Sequence, residues 1–384
     1  MSVKQKILIL ATTASMIEQF NIHNIQILQS LGAEVHVGTN FSNPGTITNE
    51  ISNGLISRLN SVGVKCHQID FLRGIGNHRA NKKAMDQVIS VIKKEKITGI
   101  HAHSPLGGII ARRAGHKTNT KVMYTAHGLQ FFKGGPLKDW LFFPVEWFYA
   151  HWTDALVTIN QDDYSISKYL PVSRRYYIPG VGIDLKRLKQ FTQKRKNILR
   201  SATRKKLNIK NDDFLIISVG ELSNRKNHET VIKAIKKLNN PNIKYAIAGI
   251  GDKKRKLISL VHKLNLKNQV QLLGYCKNLD GLYYAADLNV FISKREGLGL
   301  GGLDGVAHGL YIIGSKNTGM KDYITNENIG LLVEDPTDIN EVADKINNVY
   351  QNKKVVTDFS VVKKFEHYNV DRKMKRIYEN EFFS

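Results

Sequence analysis

Short apolar runs alternate along the chain with longer segments whose apolar residues recur every three to four positions. The runs predict buried strands, and the longer spacing predicts amphipathic helices. A clear example of a helix carries Met85, Val88, Ile89 and Ile92 on one face. The predicted strands of the first half are residues 6–10, 34–38, 97–102, 121–125, 155–159 and 176–178.

A basic stretch, residues 186–210, separates this series from a second one. Beyond it the pattern predicts strands alternating with helices, with the strands at 214–219, 243–248, 270–273, 288–292 and 310–313. Two such series predict an α/β protein with two Rossmann-like domains, each built on a doubly wound parallel sheet. Because ligands of these sheets bind beyond the carboxyl ends of the strands, a cleft between the domains is the expected binding place.

The domain boundaries follow from the same pattern. We expect a first domain at residues 1–185, a basic linker at 186–210 and a second domain at 211–365. A last helix at 370–383, within the C-terminal segment 366–384, is expected to pack back onto the first domain.

The segment after the predicted strand 288–292 carries the most distinctive chemistry. Glu296 and Asp304 flank a glycine-rich loop that leads into a helix predicted at 303–308. Free N–H groups at a helix N-terminus favour an anion, and glycines let the backbone approach it closely. Carboxylates beside phosphate-binding amides suggest a sugar nucleotide. The alternative is a purely structural strand–loop–helix turn.

Composition and charge limit the function classes. The chain has 384 residues and a formal net charge of +24, which suggests anionic partners such as nucleic acid, anionic lipid or phosphorylated substrates. The alternative is a generally basic proteome or a solvated linker. No RNA-binding motif is evident, so nucleic acid is not expected. Cys66 and Cys276 lack the spacing of a zinc site or a disulfide framework. Without a signal or membrane-spanning segment, a cytoplasmic protein is expected, with possible peripheral contact to an anionic membrane.

Five segments together resemble the family-4 glycosyltransferases with the GT-B fold, above all bacterial members that assemble exopolysaccharide, capsule or O-antigen. The segments are IHAHSPLGGIIARRAG (100–115), YTAHGLQFFKGGP (124–136), TDALVTINQDDYSISKYL (153–170) with YYIPGVGID (176–184), SVGELSNRKNHETVIKAI (218–235) and REGLGLGGLDGVAHGL (295–310). The resemblance implies transfer of a sugar from a nucleotide-sugar, with a UDP-linked hexose or N-acetylhexosamine preferred, to a glycan or lipid-linked saccharide. It also implies retention at the anomeric carbon and no metal ion or other cofactor.

The resemblance assigns roles to matching residues. It implies catalytic roles for His127, Lys226 and Glu296, with Lys226 neutralising the leaving diphosphate. The implied donor-binding residues are Asn224, Arg225, Lys226, Tyr275, Glu296, Gly299, Leu300, Gly301 and Asp304. Two positions depart from the family pattern. Glu221 stands where many relatives have an arginine, and Asp304 is one methylene shorter than the usual glutamate.

The acceptor side is expected near His103, Ser104 and Phe131. Ser104 has an alternative role, because it precedes a predicted helix and is a residue type that caps helices. The aromatic segment 131–152, which includes Lys133 and Lys138, suggests either an interfacial patch or ordinary packing helices. We favour packing for most of its apolar residues, which include Leu137, Trp140, Leu141, Val145 and Phe148.

Other functions compete with glycosyl transfer. A dinucleotide-dependent oxidoreductase would need an acidic residue at the end of the next strand, but residues 314–316 are Gly, Ser and Lys. A non-catalytic GT-B partner subunit of a glycosylation complex and an epimerase of UDP-sugars remain alternatives. The sequence predicts no particular oligomeric state.

Overall fold

The computed structural model describes residues 4–72, 74–132 and 135–384. Lys133, which was considered with the aromatic segment, lies outside these ranges. The chain forms two compact units. The first runs to Gly182 and also takes in Tyr368–Ser384, whereas the second spans Ile183–His367.

The first unit is built on a parallel sheet of seven strands in the order β3-β2-β1-β4-β5-β6-β7. In chain order the strands are β1 Lys6–Leu10, β2 Glu34–Thr39, β3 Lys65–Gln68, β4 Gly99–His103, β5 Lys121–Ala126, β6 Ala155–Thr158 and β7 Arg174–Tyr177. The helices between them are α1 Ala14–Phe20, α2 Ile22–Ser30, α3 Asn49–Ser61, α4 His78–Glu95, α5 Pro105–Thr118, α6 Phe143–Ala150 and α7 Gln161–Ser167. A 3-10 helix, Leu137–Phe142, precedes α6.

The helix His367–Phe382 packs within the first unit from Tyr368 onward. Its Tyr378 hydroxyl lies 2.7 Å from Nδ1 of the buried His101 on β4. The Tyr176 hydroxyl donates to the Glu381 carboxylate at 2.7 Å. Both contacts place polar groups of the last helix against strand residues of the first unit.

The second unit is built on six parallel strands in the order β10-β9-β8-β11-β12-β13. The strands are β8 Phe214–Val219, β9 Ile243–Ala248, β10 Val270–Gly274, β11 Leu288–Phe291, β12 Ile312–Ser315 and β13 Gly330–Val333. The helices are α8 Leu185–Lys189, α9 Gln193–Lys206, α10 His228–Leu238, α11 Lys254–Lys263, α12 Asp280–Ala285, α13 Leu300–Ala307 and α14 Ile339–Asn352, with 3-10 helices Gly319–Asp322 and Ser360–Phe365. The predicted two-sheet α/β architecture is confirmed.

The basic stretch forms structure of the second unit, where the sequence predicted a linker. Helix α9 sets Arg200 and Arg204 against the end of α12. Arg200 donates to the carbonyls of residues 284, 285 and 286 at 2.9–3.1 Å, and Arg204 to that of residue 285 at 2.8 Å. Both also contact the carboxylate of Asp287. These arginines satisfy helix C-terminal carbonyls, so part of the positive charge has a structural role.

The packing expected for most of Leu137, Trp140, Leu141, Val145 and Phe148 is wrong. Large apolar side chains of the 3-10 helix and α6 are exposed: Leu137 89%, Trp140 37%, Leu141 76%, Phe142 41%, Val145 41%, Trp147 45% and Phe148 52%. We call these seven residues the apolar patch. Glu146 anchors helix α6 to α5, because its carboxylate accepts two hydrogen bonds from Arg112 at 2.5 and 3.3 Å. Among the residues that the structure describes, every helix is too short or too polar to cross a bilayer.

Replacing Glu146 by Ala should destabilise the first unit. Arg112 is fully buried, so the change would leave its charge without a counter-ion, at a cost of about 3–5 kcal/mol. Urea unfolding followed by circular dichroism measures the loss. The matched control is Glu334→Ala, since the Lys316–Glu334 pair is exposed and should contribute under about 1 kcal/mol. Equal effects of the two changes would contradict a structural role for the buried pair.

Candidate functional site

The second sheet reverses its strand order between β8 and β11, and the loops that follow these two strands lie side by side. The amide of Lys294, after β11, donates to the carbonyl of Arg225, after β8, at 2.8 Å. Neighbouring loops at the carboxyl ends of such strands form the usual ligand crevice of a doubly wound sheet.

Three charged side chains meet where these loops touch. Oε1 of Glu296 lies 2.6 Å from Nζ of Lys226 and 2.5 Å from Nη1 of Arg225. Arg225 Nη1 also donates to the carbonyl of Arg295 at 3.1 Å. We call Glu296, Lys226 and Arg225 the ion triad. The predicted acid and the two predicted cations of the donor site are therefore brought together.

The ion triad is largely removed from water. The side chains of Lys226 and Glu296 are 12% and 10% exposed, and Lys226 Nζ lies 4.3 Å from the ring centroid of Phe291. Burial lowers the pKa of Lys226, and the Glu296 charge offsets this only in part. Burial raises the pKa of Glu296, but Lys226 and Arg225 outweigh it, so that this pKa lies below its ordinary value. Near neutral pH the carboxylate is ionised.

Helix α13 begins beside the ion triad. Gly299 has φ +79°, a left-handed conformation that glycine adopts without strain, and it turns the chain into the helix. The amides of Gly302 and Leu303 donate to the Gly299 carbonyl at 2.9 and 3.2 Å. The amides of Leu300 and Gly301 have no acceptor within the helix by their position. The helix starts three residues earlier than predicted, which puts Leu300 and Gly301 in its first turn.

Side chains that the sequence analysis did not single out fix this turn. The Tyr283 hydroxyl and Asn289 Nδ2 donate to the carbonyl of Gly301 at 3.0 and 2.9 Å. The Tyr323 hydroxyl donates to the carbonyl of Gly299 at 3.1 Å. A Cβ at Gly301 would lie 2.5 Å from the Val219 carbonyl oxygen, so any side chain there would push α13 away from β8. In the sequence these tyrosines look like ordinary core residues, so no signal marked them.

Asp304 lies one turn further along α13 in a second charged cluster. Asp280 accepts two hydrogen bonds from Arg187, at 2.6 and 3.0 Å, and contacts His308 Nε2 at 3.0 Å. Burial raises the pKa of Asp304 to about 6, against the lowering influence of His308 and Arg187. Burial therefore disfavours the ionised form of Asp304, and its carboxylate becomes protonated at a pH near the physiological range.

The remaining donor-site predictions lie outside the ion triad. Asn224 is exposed on the loop before Arg225, and Tyr275 follows β10 with 40% of its side chain exposed. Glu221 offers its carbonyl to His228 Nε2 at 3.2 Å. These positions are compatible with nucleotide contacts, and their roles stay predictions.

In the first unit, histidines at the ends of β4 and β5 are in contact. His103 Nδ1 lies 2.9 Å from His127 Nε2, and His101 Nε2 lies 2.7 Å from the Thr125 hydroxyl. Burial lowers the pKa of His127 to about 4, and that of His101 to about 3. It also places the pKa of His103 well below its usual value, and His103 Nε2 is a buried nitrogen for which the structure shows no partner. Near neutral pH all three imidazoles are uncharged.

The two other residues expected on the acceptor side, Ser104 and Phe131, lie in different surroundings. Ser104 precedes α5, but its hydroxyl makes no cap bond and instead donates to the His103 carbonyl at 2.5 Å. Its φ of +65° is unusual for a residue with a side chain, a conformation that concentrates at functional sites. Phe131 is 1% exposed and packs against Trp140 and Phe143 in the core, and its role on the acceptor side stays a prediction.

Comparison with known proteins identifies the family to which both halves of the chain are similar. Residues 200–362 match the family described as glycosyl transferases group 1, and residues 23–165 match the glycosyl transferase 4-like domain. EpsD of Bacillus subtilis (strain 168), provisionally named a glycosyltransferase, is 30% identical over 338 residues, which are 86% of this chain and 84% of EpsD.

Two further proteins are similar over long stretches. A UDP-Gal:alpha-D-GlcNAc-diphosphoundecaprenol alpha-1,3-galactosyltransferase of Escherichia coli is 28% identical, covering 74% of this chain and 77% of the enzyme. The structure of a sucrose-phosphate synthase from Thermosynechococcus elongatus superposes with a TM-score of 0.76 at 18% identity, covering 98% of this chain and 99% of that one. With its two parallel α/β sheets and these matches, the chain belongs to the group 1, family-4-like glycosyltransferases of the GT-B fold.

Proposed function

We propose that the protein transfers a hexose or N-acetylhexosamine from a UDP-sugar to a lipid-linked saccharide during synthesis of a cell-surface polysaccharide, with retention at the anomeric carbon. The observation that carries the proposal is the ion triad beside the first turn of α13. Lys226 Nζ lies 4.3 Å from the centroid of the Phe291 ring, and Cβ atoms at Gly299 and Gly301 would lie 3.2 and 3.0 Å from atoms of the same ring. Cations and helix amides without helical acceptors are therefore neighbours, which suits the diphosphate of a sugar nucleotide.

The relatives support the donor and acceptor classes. The Escherichia coli relative is named for a UDP-galactose donor and a diphosphoundecaprenol-linked acceptor. A Campylobacter jejuni relative, 27% identical over 44% of this chain, is likewise named for an acceptor on diphospho-undecaprenol. We transfer the classes and not the individual sugars, because a few atoms in the pocket decide between sugars.

In the proposed reaction the bond between the anomeric carbon and the diphosphate oxygen breaks, and a bond to the acceptor hydroxyl oxygen forms on the same face. The hydroxyl proton passes to the leaving diphosphate, which departs as UDP. Lys226 and Arg225 stabilise the charge that develops on the diphosphate, a role that a divalent cation has in other transferases. We therefore propose that no metal or other cofactor is required.

Glu296 has two parts in this scheme. In the structure it is the counter-ion of Lys226 and Arg225. When the donor binds, the diphosphate takes over those cations, and the carboxylate is left to accept hydrogen bonds from sugar hydroxyls. Glu296 orients the sugar and does not attack it. Asp304 is proposed to accept hydrogen bonds from the ribose hydroxyls, and the uncharged His127 to contact the donor sugar.

The apolar patch is proposed to contact the lipid that carries the acceptor. Its aliphatic and aromatic side chains, with the exposed Lys138 among them, have the composition of segments that lie in the interface of a bilayer. Seven large apolar side chains exposed within twelve residues are unusual for a surface in contact with water alone.

Release of UDP from a panel of UDP-sugars, with a polyprenyl-diphosphate-linked saccharide as acceptor, tests the function. We expect acceptor-dependent release from one donor, and an anomeric configuration in the product that matches the donor when read by NMR. Glu296→Gln should lower kcat about 100-fold or more, because the sugar loses a charged anchor. UDP should bind this variant at least as tightly, since Lys226 and Arg225 are then free of their counter-ion.

Lys236→Gln, an exposed lysine of α10, is the control and should behave as wild type. An inverted anomer would contradict the mechanism. UDP-sugar binding without release, under all acceptors, would favour the non-catalytic partner. Conversion of one UDP-sugar into another without an acceptor would identify an epimerase.

Donor affinity should depend on the charge of Asp304. Because burial raises its pKa to about 6, the carboxylate becomes protonated as pH falls through that value and loses its negative charge. The Kd of a UDP-sugar, measured by calorimetry from pH 8 to 5, should rise by up to about tenfold per pH unit below 6. A UDP-sugar is the right probe, because its diphosphate is esterified at both ends. The charge of the probe therefore stays constant between pH 8 and 5.

Asp280, Arg187 and His308 lie close enough to Asp304 to influence its pKa, and the variant Asp304→Asn isolates the contribution of Asp304. This variant should bind the donor more weakly at pH 8 and lose most of the pH dependence below 6. An unchanged pH profile in Asp304→Asn would rule out the ribose contact as its cause.

The apolar patch predicts binding to vesicles. Leu141→Gln with Phe148→Gln should reduce flotation with vesicles of zwitterionic and anionic lipid severalfold, because two exposed apolar side chains no longer enter the interface. The control, Val62→Gln with Val355→Gln, removes apolar side chains of 56% and 63% exposure outside the patch. Equal flotation of the two variants would exclude the patch as the membrane contact.

A further inference from the structure

A cavity in the second unit lies next to the ion triad but is lined by other residues. It measures about 430 Å³. Ser223 and Asn224 line it on one side and Lys294 on another, whereas Arg225, Lys226, Glu296 and Gly299 are not part of its wall. The size is within the range of small-molecule pockets. We call it the lysine pocket.

The wall of the lysine pocket is strongly positive. Four lysines line it, namely Lys233, Lys253, Lys256 and Lys294, against one carboxylate, Glu229. Four positive charges less one negative charge leave +3. Glu229 contacts Lys233 at 2.8 Å and Lys256 at 2.6 Å, so its charge is shared between two of the four. Lys253 contacts Asp252 at 3.2 Å, a residue that is not part of the wall.

The backbone adds to this positive potential. Helices α10, α11 and α14 all begin at the pocket, since His228, Lys256 and Ile339 in their first turns line it. Each helix N-terminus carries about half a positive charge and N–H groups without helical acceptors. The caps of α10 and α11 make no side-chain bond that would satisfy those groups, whereas at α14 the Asp338 carboxylate accepts from the amides of Asn340 and Glu341. The backbone contribution therefore comes mainly from α10 and α11.

The charges in the first turn of α11 are electrostatically unfavourable in the absence of an anion. Lys253 is the cap residue, and Lys254, Arg255 and Lys256 follow it with no acidic residue in the turn. Cations near a helix N-terminus are repelled by the helix dipole, which is why acidic residues prevail there. A cationic first turn that faces other lysines across a cavity is an arrangement that a bound polyanion would stabilise.

We propose that the lysine pocket binds the phosphate or diphosphate group of a small ligand, at the same time as the donor occupies its own site. The pocket supplies separate lysines from α10, α11 and the loop after β11, so one diphosphate can contact several cations. Its wall and the ion triad share two loops but no residue, since Asn224 precedes Arg225 on one loop and Lys294 precedes Glu296 on the other. The Lys294 amide joins these loops by donating to the Arg225 carbonyl at 2.8 Å.

Calorimetric titration of pyrophosphate into the full-length protein, with saturating UDP present, tests the proposal. The design rests on the proposed function, in which UDP occupies the donor site. The lysine pocket then stays accessible to pyrophosphate. We expect pyrophosphate to bind in the presence of UDP. Lys253→Gln with Lys256→Gln should weaken this binding at least tenfold, and Lys294→Gln, on a different element, should also weaken it.

The matched control is Lys236→Gln with Lys267→Gln, which removes the same charge from exposed lysines outside the pocket and should bind as wild type. Equal unfolding midpoints establish that the variants are folded. Loss of all pyrophosphate binding in UDP, or equal binding by the two double variants, would overturn the proposal. If UDP itself fails to bind, the proposed donor site fails, whereas pyrophosphate binding that needs Lys253 and Lys256 would still support the pocket.

Discussion

The site of the second unit depends on one electrostatic constraint, which is that Lys226 is kept charged in a place where water is scarce. Its ammonium lies over the Phe291 ring and 2.6 Å from the Glu296 carboxylate. A buried charge of this kind is tolerated only with a counter-ion, because desolvation would otherwise favour the neutral amine. Glu296 therefore stabilises the cation in the structure, and a donor diphosphate is expected to replace that interaction in the complex.

The backbone near Lys226 is also held in one conformation. Helix α13 approaches β8 so closely that no side chain is possible at Gly301, and hydroxyl and amide donors fix the carbonyls of Gly299 and Gly301. With those carbonyls already bonded, the turn cannot rotate to expose them to an anion. The amides of the first turn remain as the groups that a phosphate would meet. A preorganised set of donors of this type lowers the reorganisation that charge development requires.

Much of the fold could be predicted from the sequence, because parallel strands buried on both faces appear as short apolar runs. The strands β1, β8 and β9 have the predicted bounds. The prediction placed the start of α13 at residue 303, whereas the helix begins at Leu300, because glycines hide the beginning of a helix that the apolar pattern marks only later. Strand β3, KCHQ, lacks an apolar run and was not predicted. Strand β13, GLLV, has a short apolar run and was also missed.

The candidate site was predictable where it rests on residue type and local spacing, and less so where it rests on tertiary contacts. Glu296 and Lys226 were identified, but nothing in the local sequence indicates that Tyr283 or Tyr323 holds the loop. The expected burial of Leu141 and Phe148 was wrong, because helical spacing reports that apolar residues share a face and not what covers that face. Phe131 was expected on the acceptor side, and its ring lies in the core.

In the proposed complex a donor diphosphate takes Lys226 and Arg225 over from Glu296. A crystal structure of the protein with a bound UDP-sugar tests this most directly. We expect diphosphate oxygens within hydrogen-bond distance of Lys226 Nζ and of the Leu300 and Gly301 amides, with the Glu296 carboxylate turned to the sugar hydroxyls. A diphosphate bound elsewhere, with Lys226 still on Glu296 at about the present 2.6 Å, would contradict it.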